Sequence, residues 1–279
     1  VNPATTVEPT TAPASMHELQ EAVHGDGHDY VDGSPHLMHA RLNTWMRDVL
    51  NATVADLGDR ADRAGRPVRV LEVGAGHGPF TETLLAAGAE VVVTEMSAPS
   101  ATHLAGRFRH NPRVRVVHDP TGDLAAHGRV DLVVFMSVLH HIPDYLDALA
   151  RAAAVVEPGG ALVSFQDPVL YSRQGRPSRA LARAATLAWR TTRGDLARGL
   201  RTQARRLRGV YDENDPSDMS EYHCVRDGVD EQAVATLLAG RFADVRLEHY
   251  WSTQAGWAQA LGRHWAPPNT FGVVARGRR

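Results

Sequence analysis

The sequence predicts an α/β chain: a doubly wound, mostly parallel sheet of about seven strands with an inserted helical cap. Three observations predict it. Short β-branched runs alternate with segments of helical length, the pattern of parallel strands joined by crossover helices. The first of those runs opens into a glycine-rich turn. After the fifth run, one long Arg-rich stretch of helical spacing interrupts the alternation, far beyond an ordinary crossover.

Composition bounds the reading. With 279 residues, 43% hydrophobic and 22% charged, the chain is not predominantly disordered, and its length suits two average domains or one elaborated α/β unit. Cys224 is the only cysteine, which excludes an internal disulfide framework or a thiolate-rich zinc site and leads us to expect a reducing, cytoplasmic setting. No run of about 18 apolar residues and no basic-then-apolar leader is present, so neither a membrane span nor a membrane partner is expected. The formal net charge is −2, and no nucleic-acid partner is expected. The basic side chains number 30 and all are Arg, which excludes a catalytic lysine.

In chain order, residues 1–15 mix Pro, Thr and Ala and read as a disordered tail. Residues 16–66 read as an N-terminal helical lid, with Leu42, Trp45, Met46, Val49, Leu50, Val54 and Leu57 forming one apolar stripe. A Rossmann-like core follows over residues 67–169. Its strands are expected at Val68 to Val73, Val91 to Val93, Val114 to Val117, Val130 to Met136 and Ala161 to Phe165, with a helix over Asp144 to Val156. Residues 170–228 are the cap insertion, helical from Pro177 to Arg208. Residues 229–279 return to the core, with strands near Val245 to Trp251 and Phe271 to Ala275 around a helix at Gln254 to His264.

The stretch Val70-Leu71-Glu72-Val73-Gly74-Ala75-Gly76-His77-Gly78-Pro79-Phe80 runs from strand through glycine turn to helix, a place where a ligand can approach backbone N–H groups. A nicotinamide fingerprint needs its third glycine at Pro79, and no Gly-Lys-Ser/Thr follows, so neither that motif nor a P-loop is present. Glu95 closes the second strand about 20 residues beyond Gly74, where this fold places a carboxylate for ribose hydroxyls. Asp119 closes the third. Together with Glu72 they repel an anionic dinucleotide and attract a cofactor carrying an ammonium and a sulfonium.

These residues resemble the class I S-adenosylmethionine-dependent methyltransferases. The resemblance rests on the E-x-G-x-G-x-G loop (Glu72, Gly74, Gly76, Gly78), Glu95, Asp119, the segment Asp131 to Ile142, and the Glu157-Pro158-Gly159-Gly160 turn, in the family's order. It implies S-adenosyl-L-methionine as cofactor. The backbone of Gly74, Ala75, Gly76 and Gly78 would hold the methionyl part with Glu72 near its amino group. Glu95 would take the ribose, Asp119 the adenine amine, and Met96, Pro120 and Met136 would line the remaining surface. It also implies a lid residue, Tyr30, over the cofactor, with His36 reaching the methyl acceptor.

Methyl transfer from a sulfonium is an in-line displacement, so positioning dominates, and a hydroxyl acceptor benefits from a base of matched pKa. His140 and His141 follow the fourth strand at the cofactor edge, and either can be that base. A His pair here is similar to methyltransferases of secondary-metabolite hydroxyls. Asp167, after the fifth strand, either orients a histidine or caps a turn before Pro168. Gln166, Tyr222 and His223 are candidate acceptor contacts. The His- and Asp-rich segment from His24 to His39 matches neither a calcium loop nor H-E-x-x-H, so no metal is expected.

The cap holds eleven arginines between Arg173 and Arg208 against one acidic residue, Asp195; it is either a solvated face or an attractor for anionic substrates or RNA. Methyl transfer to a small-molecule oxygen is therefore the expected activity, with amine, carboxylate or RNA acceptors and a non-catalytic cofactor-binding protein as alternatives.

Overall fold

The computed structural model describes residues 34–191 and 222–279. The expected tail, Tyr30, the His24 to Asp32 segment and much of the cap lie outside these residues. Seven strands form one sheet in the order β3-β2-β1-β4-β5-β7-β6. Strands β1 (Arg69–Val73), β2 (Glu90–Glu95), β3 (Val114–His118), β4 (Val130–Met136) and β5 (Val156–Pro168) run parallel. Strand β7 (Thr270–Arg278) is antiparallel to both β5 and β6 (Phe242–Tyr250). The mostly parallel, doubly wound architecture predicted from the alternating runs is the one observed.

Side chains alternate across the sheet and divide the core in two. On one face Val70, Leu132 and Val134 pack with Met46, Leu50, Val54 and Leu57 of α2 (Ala40–Arg63), with α3 (Thr81–Ala86) and with Leu104 of α4 (Ala98–Phe108). On the other, Leu71, Val133 and Phe135 pack with Leu149 and Ala152 of α5 (Tyr145–Val155) and with Val234 and Leu238 of α8 (Glu231–Ala239). The apolar stripe beginning at Leu42 therefore builds a layer of the core. A short turn of helix, α1 (Pro35–Met38), precedes it.

One difference from the expected elements has a local cause. Residues 157 to 160, read as a turn, form an irregular start to β5. The pairing slips between Val130 and Leu132, Gly159 takes φ 78°, and a side chain on Gly160 would meet the Asp131 carbonyl. Asp131 itself is fully buried and accepts from Arg66 (2.5 Å), from the Arg69 amide (2.9 Å) and from Arg60. Burial pushes its carboxyl up, but these hydrogen bonds and the two guanidinium charges hold it below the usual carboxylate range. The described cap consists of α6 (Arg176–Thr191) and α7 (Tyr222–Val225). Arg173 ties it to the core through Asp230 (2.6 Å) and Glu231 (3.3 Å). Helix α9 (Gly256–Trp265) fills the β6–β7 connection.

Candidate active site

The carboxyl ends of the parallel strands converge on one crevice. After β1 the chain turns through Gly74, Gly76 and Gly78 at φ 68°, 58° and 79°, values that disfavour any side chain. Space enforces the same choice, because a Cβ on Gly78 would stand 2.8 Å from Phe108 and one on Gly74 3.0 Å from Val138. Ala75, between them, is buried in the core.

Three carboxylates line this half of the crevice, each held differently. Glu95 Oε2 accepts from the Gly76 amide (2.9 Å) and Oε1 from the Ser97 amide (3.2 Å). Burial pushes its pKa up, opposed by those amides. Glu72 is buried and accepts from the Thr81 hydroxyl (2.6 Å). Desolvation drives it to about 7; the Thr81 hydrogen bond opposes the rise and the nearby Glu95 charge adds to it. Asp119 Oδ1 collects the Gly122 amide (2.8 Å), the Thr121 amide (3.1 Å) and the Thr121 hydroxyl (2.9 Å). Although desolvation raises it, those donors hold Asp119 below its ordinary value. Its Oδ2 is buried without a hydrogen bond and faces His127 Nε2 at 3.7 Å. Met96 follows Glu95 half-buried, Pro120 is exposed beside Asp119, and Met136 closes β4 within the core.

The other half is built around His140 and Asp167. Asp167 is completely buried; its Oδ1 accepts from the His140 amide (3.0 Å) and pairs with His140 Nδ1 (2.8 Å), while Oδ2 accepts from the Ser164 hydroxyl (3.1 Å). Opposite a carboxylate, Nδ1 is the protonated nitrogen, which puts the basic lone pair on Nε2. A bulge aims this aspartate. Gln166 sits at φ 74° and the β5–β7 register shifts between Phe165 and Asp167, so Asp167 points inward beneath His140. Ser137, at the end of β4, also takes a positive φ of 65° and donates its amide to Phe165 O (2.8 Å). Left-handed backbone at two non-glycine residues is strain gathered at one site.

Gln166 is fixed by Tyr250, whose oxygen accepts the Gln166 amide (2.9 Å), and by Ser252 (2.8 Å). Burial holds the Tyr250 phenol protonated, far above its usual value. His141 leans on His140 with ring centroids 4.0 Å apart. His36 stacks on Phe80 just after the glycine turn (5.8 Å) and is buried with Nδ1 unpartnered. Burial first, then the proximity of His140, lower its pKa to about 3, so the ring stays neutral. Thus His36, His140, His141, Gln166 and Asp167 share one neighbourhood. His223 and Tyr222 stand further along. His223 Nε2 lies 3.1 Å from both the Ile142 and Pro143 carbonyls, where it braces the loop after His141, and Tyr222 stacks beneath Arg226.

Sequence reasoning missed Thr81, Ser164 and Tyr250. Thr81 carried a readable signal, a hydroxyl opening the helix after a glycine turn. Ser164 and Tyr250 looked like ordinary strand residues, and only folding brings them to Asp167 and Gln166. Among the described residues no group of three or more His, Cys, Asp or Glu side chains gathers to hold a metal.

A family model described as a methyltransferase domain matches residues 42–207, more than half of the chain. The ubiquinone biosynthesis O-methyltransferase of Aromatoleum aromaticum is 35% identical over 118 residues, covering 40% of this chain and 48% of that protein, so the chain spans about half of that relative. The N-methyltransferase NodS from Bradyrhizobium japonicum WM9, in complex with S-adenosyl-L-homocysteine, shares the fold with TM-score 0.50 and 15% identity over 95% of this chain and 98% of that one. A putative sarcosine dimethylglycine methyltransferase from Galdieria sulphuraria shares it with TM-score 0.54 and 11% identity over 85% and 86%. The cofactor of this domain is S-adenosylmethionine. Since the methyltransferase domain is matched over more than half of the chain and the sheet is the seven-stranded, mostly parallel one, the chain belongs to the class I S-adenosylmethionine-dependent methyltransferases.

Proposed function

We propose that this chain moves a methyl group from S-adenosylmethionine to a hydroxyl of a small molecule, with His140 as general base and Asp167 holding it. The observation that carries the reading is the buried His140–Asp167 pair at the cofactor edge. The aspartate fixes the tautomer and ring orientation, and stabilises the imidazolium once His140 takes the hydroxyl proton on Nε2. A carboxylate or an already neutral amine acceptor would not need this device. The O-methyltransferase relative supports oxygen as the acceptor atom.

The crevice fits the cofactor. Asp119, whose Oδ2 accepts no hydrogen bond, suits the adenine amine, Glu95 suits the ribose hydroxyls, and the Gly74–Gly78 backbone with Glu72 suits the methionyl end. Bound there, S-adenosylmethionine would supply an electrophilic methyl on a sulfonium, with a neutral thioether as the leaving group. The chain's own contribution is to align the acceptor, exclude water and accept one proton. His36, neutral and buried, is placed to hydrogen-bond the acceptor, and Met96, Pro120 and Met136 to border the cofactor. Residues 170–228 act as a cap, with Gln166, Tyr222 and His223 along the acceptor's path and Tyr30, outside the described residues, over the cofactor, whereas Ala40–Arg63, expected as part of a lid, belongs to the core. The setting is cytoplasmic and the acceptor a secondary metabolite.

The test is a panel of phenols, sugars and amines incubated with labelled donor and analysed for product. O-methylated product from the unaltered chain, reduced about 100- to 10,000-fold by His140→Ala with cofactor affinity retained, is expected. Turnover unchanged by that substitution overturns the base assignment.

A further inference from the structure

We infer that the segment Tyr222 to Asp230, where the cap returns to the core, is a clamp that holds His140 in register with Asp167, and that His223 is its positioning residue. The pair needs support from outside itself. Asp167 Oδ1 meets both the His140 amide (3.0 Å) and His140 Nδ1 (2.8 Å), so its geometry depends on how the single turn Leu139–His141 sits against the end of β5. The sheet does not fix that relation, because the pairing of β4 with β5 ends at Met136 and Phe165, before either residue is reached.

One arm of the clamp reaches the turn. The Ile142 and Pro143 carbonyls follow it directly, and His223 Nε2 lies 3.1 Å from each. Carbonyls only accept, so Nε2 carries the proton and is shared between them. The ring is seated edge-on against Tyr145 (4.9 Å), which opens α5 after this loop and accepts the Asp230 amide on its hydroxyl (3.0 Å). Desolvation lowers the pKa of His223 against the opposing hydrogen bonds to Pro143 and Ile142, so at neutral pH the brace adds no charge beside His140.

The other arm reaches the aspartate. Val229 donates its amide to the carbonyl of Pro168, next to Asp167 (2.9 Å), and pairs in parallel with Val169. Tyr171 adds two bonds, from its amide to the Asp227 carbonyl (2.7 Å) and from its hydroxyl to the Cys224 carbonyl (2.5 Å). Between the arms the chain is tight. The Gly228 amide closes on the His223 carbonyl (2.8 Å), and Gly228 itself stands at φ 77°, where a side chain would strike the Val169 carbonyl. Both partners of the buried pair are thus fastened to one segment, the foot of the cap, and a misplacement of about 1 Å between them is enough to cost about 100-fold in rate. The effect on turnover rests on His140 being the base; the hydrogen bond that the clamp preserves can be read without catalysis.

The experiment compares His223→Ala with His223→Gln, whose side-chain N–H can reach the same carbonyls, in the full chain. Amide hydrogen exchange is followed by NMR, beside kcat for the panel acceptor that gives most product and calorimetry with S-adenosylhomocysteine. In His223→Ala the His140 amide should exchange about tenfold faster or more, with the Leu132 and Val134 amides of β4 unchanged. There kcat should fall about 10- to 100-fold with S-adenosylhomocysteine affinity retained, and His223→Gln should restore exchange and turnover to within about threefold. An unchanged His140 exchange rate in His223→Ala overturns the clamp, as does a glutamine variant no better than the alanine one. Faster exchange with unaltered turnover supports the clamp and removes His140 as base, so the two claims fail separately. Should the alanine variant fail to fold, the unaltered chain decides: His140 and Val229 amides that exchange in one common opening support the clamp, and exchange of either while the other stays protected overturns it.

Discussion

The crevice has two halves that solve the problem of buried charge in different ways. At the ends of β1 to β3, Glu95 and Asp119 are satisfied mainly by amides a few residues away in sequence or in the adjoining turn. At the ends of β4 and β5, Asp167 is satisfied by the main chain and ring of His140, 27 residues away, and by a serine on its own strand. The first half is a set of local loop conformations; the second is a tertiary assembly that needs a bulge, two strained residues and a tyrosine 84 residues distant. Fixed backbone amides give binding that tolerates change elsewhere, whereas a side-chain pair aimed by a bulge gives chemistry that a small displacement can abolish.

If the halves are separable, their lesions should be separable too. The largest effect is expected from Asp167→Asn, which leaves the shape intact but offers an amide to the His140 ring: turnover should fall about 100- to 10,000-fold while calorimetry finds the cofactor dissociation constant unchanged. A parallel loss of affinity would show that the two halves act as one. Next comes Glu95→Ala, expected to weaken cofactor binding by about 1–3 kcal/mol through lost hydrogen bonds to a charged group, with turnover at saturating cofactor preserved. Gln166→Gly should have a smaller and mixed effect. It relieves left-handed strain of about 1 kcal/mol yet frees the bulge, so thermal stability should change little while turnover drops, read by a melting curve beside an initial-rate assay.

The smallest effect sharpens the comparison through pH. With its carboxyl raised to about 7 by burial, Glu72 is largely protonated in the unliganded chain below that pH. Its contribution to stability is fully present below its unfolded value and is lost as pH rises through about 7. A bound ammonium reverses the preference, so cofactor affinity should climb as pH rises toward 7, with a proton released on binding. Glu72→Gln should flatten that slope, which titration calorimetry in two buffers of different ionisation enthalpy measures; an unaltered slope removes Glu72 from the methionyl site.

The same contrast explains what could be read before folding. Alternating apolar runs and the glycine turn are local patterns, and the sheet and its turn follow them closely, whereas the Glu95–Gly76 contact was not foreseen. His140 and Asp167 were legible as residue types at strand ends, but two readings of Asp167 stayed open because the bulge at Gln166 carries no glycine to announce it. Tyr250 lies in the run Val245 to Trp251 that reads only as a strand, and its bond to Gln166 depends on how β6, β7 and β5 are ordered.

A side chain on Gly272 would collide with the Phe165 ring, which meets Trp45 edge-on at 5.0 Å, and Trp45 in turn meets Tyr250 at 5.0 Å. Tyr250 is the anchor of the Gln166 bulge. One missing methyl thus stands at the head of a mechanical linkage ending under the proposed base. A geneticist who recovered an alanine allele there would see a dead enzyme with healthy donor uptake, and would have to look across a strand, outside the crevice, to find the lesion.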